Sequence, residues 1–285
     1  LGVAAAGRGC VVGTIPPQHV YGFESTVMLP LQSGAALHSG RPLLPADIAA
    51  ALQETSAPRW LATTPVQLRA CVGEAAALPQ LAGVLSATMP LDAPLAAQAE
   101  RLWSAPVHEL YGCTEIGGIA LRRAAGGAAW RTLQGMQLEQ RGEETWARGA
   151  QLAAPARLPD RIALLSPTEF TLLGRPEDLV KIAGKRASLE DLNRELLAVR
   201  GVRDGAFFVP EDDGGAQAAR LAALAVAPGC AAREILDALR GRIDAAFLPR
   251  PLLIVEALPR NATGKLPREA LLALARSAAH GRRSA

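Results

Sequence analysis

The run Tyr111-Gly112-Cys113-Thr114-Glu115 sets a hydroxyl and a carboxylate side by side, shortly before the pair Gly117-Gly118. Hard cations take oxygen ligands, so a tight turn here could hold a phosphate oxygen and its Mg²⁺. A glycine-rich strand end with a surface glutamate would show the same residues. Taken alone, the run leaves both interpretations open.

A second candidate is the charged segment Leu173–Lys185, in which one strand-like run ends at Gly174 and another apolar stretch leads into Gly184. Such a segment suits a junction at which backbone dihedral angles change during a domain motion. An ordinary charged linker would explain the same pattern, so this segment alone does not establish a hinge.

A third candidate is the loop Pro259–Lys265, which ends in Gly264-Lys265. An ammonium group in a site with little water stabilises negative charge that develops during a reaction. The loop is not a Walker phosphate loop, because the spaced upstream glycine and the following Ser or Thr are missing. A Gly-Lys pair on a surface is the alternative.

The elements that would position these segments follow from hydrophobic periodicity. Short apolar runs alternate with alanine-rich helical stretches over roughly the first 110 residues, which predicts α/β layering. Between Gly126 and Gly174 the helical period fades and the runs Arg161–Leu165 and Glu169–Leu173 flank a short loop like a hairpin. A small β-rich subdomain is predicted there.

Beyond Lys185 the pattern predicts a compact α+β domain. Ser188 followed by Asp191 resembles a capping box that opens a helix, and a second amphipathic helix is predicted over Ala232–Phe247, ended by Pro249. Three apolar runs are candidates for the strands that these helices cover: Gly205–Val209, Leu221–Ala227 and Leu252–Glu256.

In this order and at these separations, the three candidate segments resemble the motifs of the adenylate-forming enzymes, which include acyl- and aryl-CoA synthetases, luciferases and peptide-synthetase adenylation domains. Tyr111–Glu115 is similar to Y-G-x-T-E, Leu173–Gly184 to the hinge region G-R-x-D-D-x-x-K-x-x-G, and Leu258–Lys265 to L-P-R-T-x-T-G-K. The resemblance implies that residues 1–175 are the C-terminal part of a large layered adenylation domain. Residues 176–285 would form its small mobile domain.

The resemblance also implies the residues of the nucleotide site. Those implied to bind ATP are Tyr111, Gly112, Thr114, Asp160 and Arg175. Tyr111 would stack on adenine, Thr114 would touch the α-phosphate and Asp160 would hold the ribose hydroxyls. Glu115 would hold Mg²⁺. Lys265 would be the catalytic residue, because it would bridge the acyl carboxylate and the nucleotide.

Pro16–Phe23 is similar to the family segment that carries an aromatic or histidine gate beside the acyl pocket, which implies that His19 and Gly22 line this pocket. A core or helix-capping histidine is the alternative for His19. Met89 would join the pocket, since Ser86–Leu91 resembles S-G-G-A-P-L with Ala and Thr in place of the two glycines.

Two residues of the second segment receive roles from the same resemblance. Glu177 falls at the hinge, where the family has Asp or Lys, and Gly184 would lie near the tunnel for the acceptor thiol. The implied reaction is ATP-dependent activation of a carboxylic acid to an acyl-adenylate, followed by transfer to CoA or to the phosphopantetheine of an acyl carrier protein. The compact, insertion-free chain favours an aryl or short acyl acid.

The Ser/Thr/Gly-rich phosphate loop that the family carries before the His19 segment is missing from these 285 residues. A fragment of a longer protein is therefore expected. The alternative is a catalytically incomplete fragment that acts as a nucleotide-binding or interaction module.

Composition argues against several other classes. The net charge is +3 and the basic residues are scattered among acidic ones, so no nucleic-acid partner is expected. The longest apolar stretches fall short of the roughly 20 residues that span a bilayer. The four cysteines lack the short spacings of a zinc site, and a cytoplasmic protein without a membrane segment is expected.

Overall fold

The computed structural model describes residues 9–174, 178–210, 220–261 and 264–281. The chain divides into two compact units: the first comprises Leu1–Leu173 and Ala262–Lys265, and the second comprises Gly174–Asn261 and Leu266–Ala285. None of the helices in the described ranges has the length and apolar character needed to cross a bilayer. Two candidate site residues, Arg175 and Glu177, lie outside the described ranges.

A nine-stranded sheet organises the first unit. The strands of this unit are β1 (Cys10–Gly13), β2 (Ala36–Leu37), β3 (Arg59–Thr63), β4 (Gly83–Ser86), β5 (Val107–Cys113), β6 (Gly117–Arg123), β7 (Ala129–Thr132), β8 (Met136–Arg141), β9 (Glu144–Gly149), β10 (Ala156–Arg157), β11 (Arg161–Ser166) and β12 (Glu169–Gly174). The large sheet has the order β11-β12-β7-β6-β5-β4-β3-β1-β2. Its pairs are parallel from β2 to β5 and antiparallel from β5 through β6 and β7 to β12.

Helices cover the parallel half of this sheet. They are α1 (Val20–Phe23), which continues through a π-helical turn (Glu24–Met28) into α2 (Leu29–Ser33), then α3 (Pro45–Gln53), α4 (Pro65–Gly73) and α5 (Ala93–Trp103). The last three carry proline in the first turn, where its missing N–H costs nothing. Their apolar faces pack against one side of the strands, around Ile48, Leu68 and Val84. The predicted α/β layering is confirmed.

The predicted β-rich region is divided between two sheets. Strands β7, β11 and β12 extend the large sheet, whereas β8, β9 and β10 form a separate antiparallel sheet of three strands. An aromatic cluster of Tyr111, Trp130 and Phe170 fills the core at this end, with ring centroids 5.7 to 6.3 Å apart. These rings pack with aliphatic residues of both sheets, among them Met136 and Leu138, in one hydrophobic core.

The second unit has the predicted α+β composition. Its elements are β13 (Leu179–Ile182), β14 (Lys185–Ser188), α6 (Leu189–Leu197), β15 (Asp204–Phe208), β16 (Ala222–Val226), α7 (Ala232–Arg240), a 3₁₀ turn (Ala245–Phe247), β17 (Leu252–Ile254) and α8 (Arg268–Gly281). Strand β16 pairs antiparallel with β15 and parallel with β17. The predicted fold class, α/β followed by α+β, is confirmed.

One local prediction in this unit was wrong. The helix predicted over Ala232–Phe247 ends at Arg240 with Gly241 as its C-cap, and Asp244 accepts the N–H of Ala246 to start a separate 3₁₀ turn. Ser188 does cap α6, but its hydroxyl accepts the N–H of Glu190 rather than that of Asp191.

Candidate functional site

The segment Tyr111–Glu115 is mostly strand and only its last two residues form a turn. Strand β5 ends at Cys113, Thr114 and Glu115 turn the chain at an exposed tip, and β6 begins at Gly117. The pairing of β5 with β6 shifts between Tyr111 and Gly112, as in a β-bulge. A bulge redirects side chains at the end of a strand, here toward the tip that carries the hydroxyl and the carboxylate.

The tip is held from behind by Glu24, on the π-helical turn. Both carboxylate oxygens of Glu24 accept the N–H of Gly118, at 3.0 and 3.1 Å. A Cβ on Gly117 would lie 2.4 Å from Glu24 Oε1, and Gly117 has φ +85°. Glycine is therefore favoured at position 117 by the left-handed backbone, and at both positions by the close approach of the Glu24 carboxylate.

Burial and a hydrogen bond set the character of the neighbouring thiol. Burial, together with the hydrogen bond to Glu115, raises the pKa of the Cys113 thiol to about 11. The thiol therefore stays protonated near neutral pH and can donate to Glu115. A raised pKa is the opposite of what activates a cysteine as a thiolate nucleophile.

The structure brings Tyr111 and Asp160 together. The phenolic hydroxyl of Tyr111 donates to Asp160 Oδ2 at 2.8 Å. The ring is only 7% exposed and lies against Trp130 and Phe170. Tyr111, a residue of the candidate nucleotide site, thus orients Asp160. The stacking of Tyr111 on adenine stays a prediction.

A row of polar side chains crosses four neighbouring strands and starts at the carboxyl ends of β3 and β4. Thr63 lies opposite Ser86, Ser86 opposite Glu109, and Glu109 opposite Arg122. At the other end Thr14 donates to the Thr63 hydroxyl at 3.2 Å. Ligands of open α/β sheets bind at this edge, so the row lies under the place where a substrate is expected.

The segment that leaves β4 is tied to this row and is strained. Glu109, 3% exposed, accepts the N–H of Leu91 at 2.8 Å and forms an ion pair of 2.6 Å with Arg122. Thr88 has φ +79°, a conformation that glycine adopts easily and a β-branched residue rarely does. Strain of this kind costs about 1–3 kcal/mol and persists only where surrounding contacts fix it.

The candidate acyl-pocket residues His19, Gly22 and Met89 lie in the first unit, as does Lys265. A Cβ on Gly264 would lie 3.4 Å from the sulfur of Met89. Burial lowers the pKa of His19, and the nearby charge of Lys265 lowers it further. The imidazole is therefore largely neutral at pH 7.

His19 and Gly22 also have structural duties. His19 Nδ1 accepts the N–H of Tyr21 at 3.3 Å and so caps α1. A Cβ on Gly22 would lie 2.0 Å from the carbonyl oxygen of Pro16. The helix-capping alternative for His19 is thus observed, and it is compatible with a place beside the pocket.

In the second unit, Gly184 lies at the tip of the β13–β14 hairpin. Ala183 and Gly184 both have positive φ, +49° and +79°, as in a hairpin turn of type I′. Arg260, in the loop that leads to Lys265, donates to both carboxylate oxygens of Asp204 at 2.7 and 2.8 Å. The base of that loop is therefore fixed to the sheet of the second unit.

The residues at the β5–β6 tip suit a magnesium-bound phosphate. A carboxylate and a hydroxyl on an exposed turn supply oxygen ligands, and Mg²⁺ is commonly held by one or two carboxylates with substrate phosphates. Glu115 would hold the ion and Thr114 a phosphate oxygen. Bound Mg²⁺ would supply neutralisation of phosphate charge.

The sequence did not reveal three residues that organise this region: Glu24, Glu109 and Arg122. Glu24 lies 94 residues from its partner Gly118, and no local spacing records that contact. The carboxylate of Glu109 within an otherwise apolar strand pattern was the one available signal, since a buried charge requires a partner.

Comparison with known proteins agrees with the motifs. Residues 4–141 match the family model described as AMP-binding enzyme. The chain is 33% identical to a 4-coumarate–CoA ligase of Rhodobacter capsulatus over 273 residues, which make up 93% of this chain and 65% of that protein. A stretch of 121 residues, 42% of this chain and 8% of the other, is 34% identical to an isonitrile lipopeptide synthase of Streptomyces coeruleorubidus.

The fold is similar to that of a solved benzoate CoA ligase from Burkholderia xenovorans LB400, with a TM-score of 0.76 and 20% sequence identity. The match covers 93% of this chain and 61% of that enzyme. The chain thus spans less than two thirds of the length of either CoA ligase. Residues 4–141 thus match the AMP-binding enzyme family, and the chain as a whole is similar in sequence to a CoA ligase and has the fold of a solved one.

Proposed function

We propose that the protein activates a carboxylic acid with ATP and transfers the acyl group to a thiol. In the first step a carboxylate oxygen attacks the α-phosphorus, and the bond to the departing pyrophosphate breaks. In the second step a thiol sulfur displaces AMP from the acyl-adenylate. An activated intermediate of this kind replaces one difficult reaction step by two easier ones.

The observation that carries this proposal is the grouping of Lys265 with His19 and Met89 in the first unit. Lys265 is near enough to His19 to lower the pKa of its imidazole, and Gly264 brings the loop against Met89. A cation placed there would stabilise the negative charge that develops as carboxylate and α-phosphate react. A neutral His19 does not compete with Lys265 for the carboxylate.

The nucleotide would be held by residues of the β5–β6 region. Asp160, oriented by Tyr111, would accept the ribose hydroxyls, and Thr114 and Glu115 would contact the α-phosphate and Mg²⁺. Arg175 would add a contact to ribose or phosphate. Glu177 would act as the pivot of the small domain, and Gly184 would lie near the thiol during the second step.

The names of the similar proteins support an aryl acid and CoA as the substrates of this chain. Both the ligase that matches 93% of the chain and the solved ligase with the related fold are named for aryl acids and CoA. The synthase match covers 42% of the chain, so a carrier-protein phosphopantetheine is the second candidate acceptor. Thioester formation with free CoA and with a loaded carrier protein, compared in one assay, separates the two.

The test is ATP–pyrophosphate exchange by the full polypeptide that the gene encodes, with benzoate, 4-coumarate, malonate and butyrate as acids. Lys265→Ala is expected to lower the exchange rate roughly 10²- to 10³-fold, as for removal of one stabilising contact in a transition state. Arg131→Ala, which removes an exposed cation paired with Glu169, is the matched control and should not change the rate.

Normal exchange by the Lys265→Ala variant would contradict the assignment. Absence of exchange with every acid, together with retained AMP binding, would instead favour the nucleotide-binding module.

A further inference from the structure

The peptide group of Leu91 is held on both sides by one buried ion pair. Glu109 Oε1 accepts the Leu91 N–H at 2.8 Å, while Arg122 Nη2 donates to the Leu91 carbonyl oxygen at 3.4 Å. Glu109 Oε2 and Arg122 Nε close the ring at 2.6 Å. The side chains of Glu109 and Arg122 are 4% and 19% exposed, so solvent screens these contacts little.

This ring fixes the end of the segment Ser86–Leu91, which carries Met89. At the start of the segment, Ser86 ends strand β4 and the N–H of Ala87 donates to the carbonyl of Thr63 at 3.4 Å. Between the two ends Thr88 adopts a left-handed backbone at φ +79°. The hydrogen bonds made at Leu91 therefore act on the position of Met89 from its C-terminal side.

Arg122 also touches the aromatic cluster. Its guanidinium lies over the ring of Trp130, 4.6 Å from the centroid. Trp130 packs against Tyr111, whose hydroxyl holds Asp160. One guanidinium thus contacts both the segment that carries Met89 and the cluster that orients a candidate ribose ligand.

We propose that Glu109 and Arg122 are positioning residues that set where Met89 stands in the acyl pocket and thereby select the acid. The inference rests on the proposed function, since it concerns the substrate of the same site. Neither side chain is a catalytic residue, because each acts through the main chain of Leu91. A buried ion pair adds little stability over apolar residues of equal volume, so stability alone does not account for the pair.

The neighbouring pair Glu100–Arg123 provides a matched control. Glu100 also accepts a backbone N–H, that of Val107 at 2.9 Å, and also pairs with an arginine of β6, at 2.8 Å. It contacts strand β5 rather than the segment Ser86–Leu91. Replacing Glu100, which lies on α5, therefore reports the general effect of removing a carboxylate that pairs with β6 and binds a backbone N–H of β5.

Glu109→Gln is the test variant. A glutamine offers one acceptor oxygen to two converging donors, so either the Leu91 N–H or Arg122 must face an NH₂ group. The ratio of kcat/KM for 4-coumarate to that for benzoate is expected to change about tenfold, as for roughly 1.4 kcal/mol of altered positioning. KM for ATP should stay within about twofold, and Glu100→Gln should leave the ratio as in the wild type.

Arg122→Lys is the second variant, in case Glu109→Gln does not fold. A lysine keeps the charge, but one ammonium cannot reproduce the planar fork that contacts Glu109, Leu91 and Trp130. It should shift the same ratio in the same direction. An unchanged ratio in a folded variant of either kind overturns the inference, as does an equal shift in Glu100→Gln. A wild-type enzyme that activates no acid overturns the proposed function and this inference with it.

Discussion

The hydroxyl of Tyr111 and the carboxylate of Asp160 form a hydrogen bond of 2.8 Å across 49 residues of sequence. Tyr111→Phe keeps the ring in its cluster but removes the donor. We expect KM for ATP to rise roughly tenfold, because a hydrogen bond to a charged group is worth about 1.5–3 kcal/mol. The rate of ATP–pyrophosphate exchange as a function of ATP concentration gives this KM.

Tyr21→Phe is the control for this prediction. It removes an equally buried hydroxyl, which donates to the Leu85 carbonyl at 2.7 Å, and should lower the free energy of unfolding by about 1 kcal/mol without changing KM for ATP. A Tyr111→Phe enzyme with the wild-type KM would show that Asp160 does not depend on this hydroxyl.

Gly117→Ala is expected to destabilise the first unit more than Gly135→Ala does. The two glycines have nearly equal φ, +85° and +83°, so an added Cβ carries about the same backbone cost, roughly 1–2 kcal/mol. At Gly117 the Cβ would also displace Glu24, 2.4 Å away, whereas at Gly135 no described atom lies within 4 Å. Urea midpoints at equal m-value provide the comparison, and equal losses would contradict the tight approach of Glu24.

Stability is expected to fall as the pH drops through the range below about 6.5, the pKa of histidine in an unfolded chain. Burial, with the charge of Arg123 as the second cause, lowers the pKa of His108 in the folded protein, although Glu100 opposes this. The unfolded chain then binds a proton that the folded chain does not, so the stabilising difference is present above pH 6.5 and lost below it.

His108→Gln should therefore reduce the slope of unfolding free energy against pH below about 6.5. Urea unfolding at a series of pH values gives this slope. The contribution of His19 to this slope should remain in the variant, because burial and the charge of Lys265 lower the pKa of His19 in the same way. An identical slope in the wild type and the variant would mean that His108 titrates alike in both states.

Asp204→Asn is expected to weaken the second unit. Asp204 and Arg260 are 24% and 15% exposed and joined by two hydrogen bonds, so losing the charge should cost about 1.5–3 kcal/mol. Asp191→Asn breaks an exposed pair with Arg194 and should cost at most about 0.5 kcal/mol. Hydrogen exchange of the β15 and β16 amides measures both losses, and equal effects would contradict the anchoring role of Asp204.

Local sequence patterns predicted the helices and strands but not the contacts between them. Apolar runs located β15, β16 and β17 to within one or two residues, because each is buried and bounded by turn residues. The end of α7 was missed because helical periodicity continues past Arg240, and the capping by Asp244 depends on one side-chain rotamer.

The same limit applies to the candidate site, where local motifs can be read from the sequence and distant partners cannot. Resemblance to short family motifs proposes Tyr111, Glu115 and Lys265 as site residues, since each stands in a short run of fixed length. The partners of these runs come from distant segments: Glu24 meets Gly118, and Glu109 meets Leu91. Such contacts form only when the sheet order is set, and the sheet order is not recorded in any single stretch of sequence.

The ion pair between Glu109 and Arg122 has a consequence for how this chain can evolve. A substitution that removes the charge at one position leaves the charge at the other without this counterpart, which costs roughly 3–5 kcal/mol for a buried pair. That is a large part of the 5–15 kcal/mol by which a domain is stable. Lineages that change the pair must therefore pass through a double replacement or a compensating neighbour, and the two positions should vary in concert while the exposed residues around them drift independently.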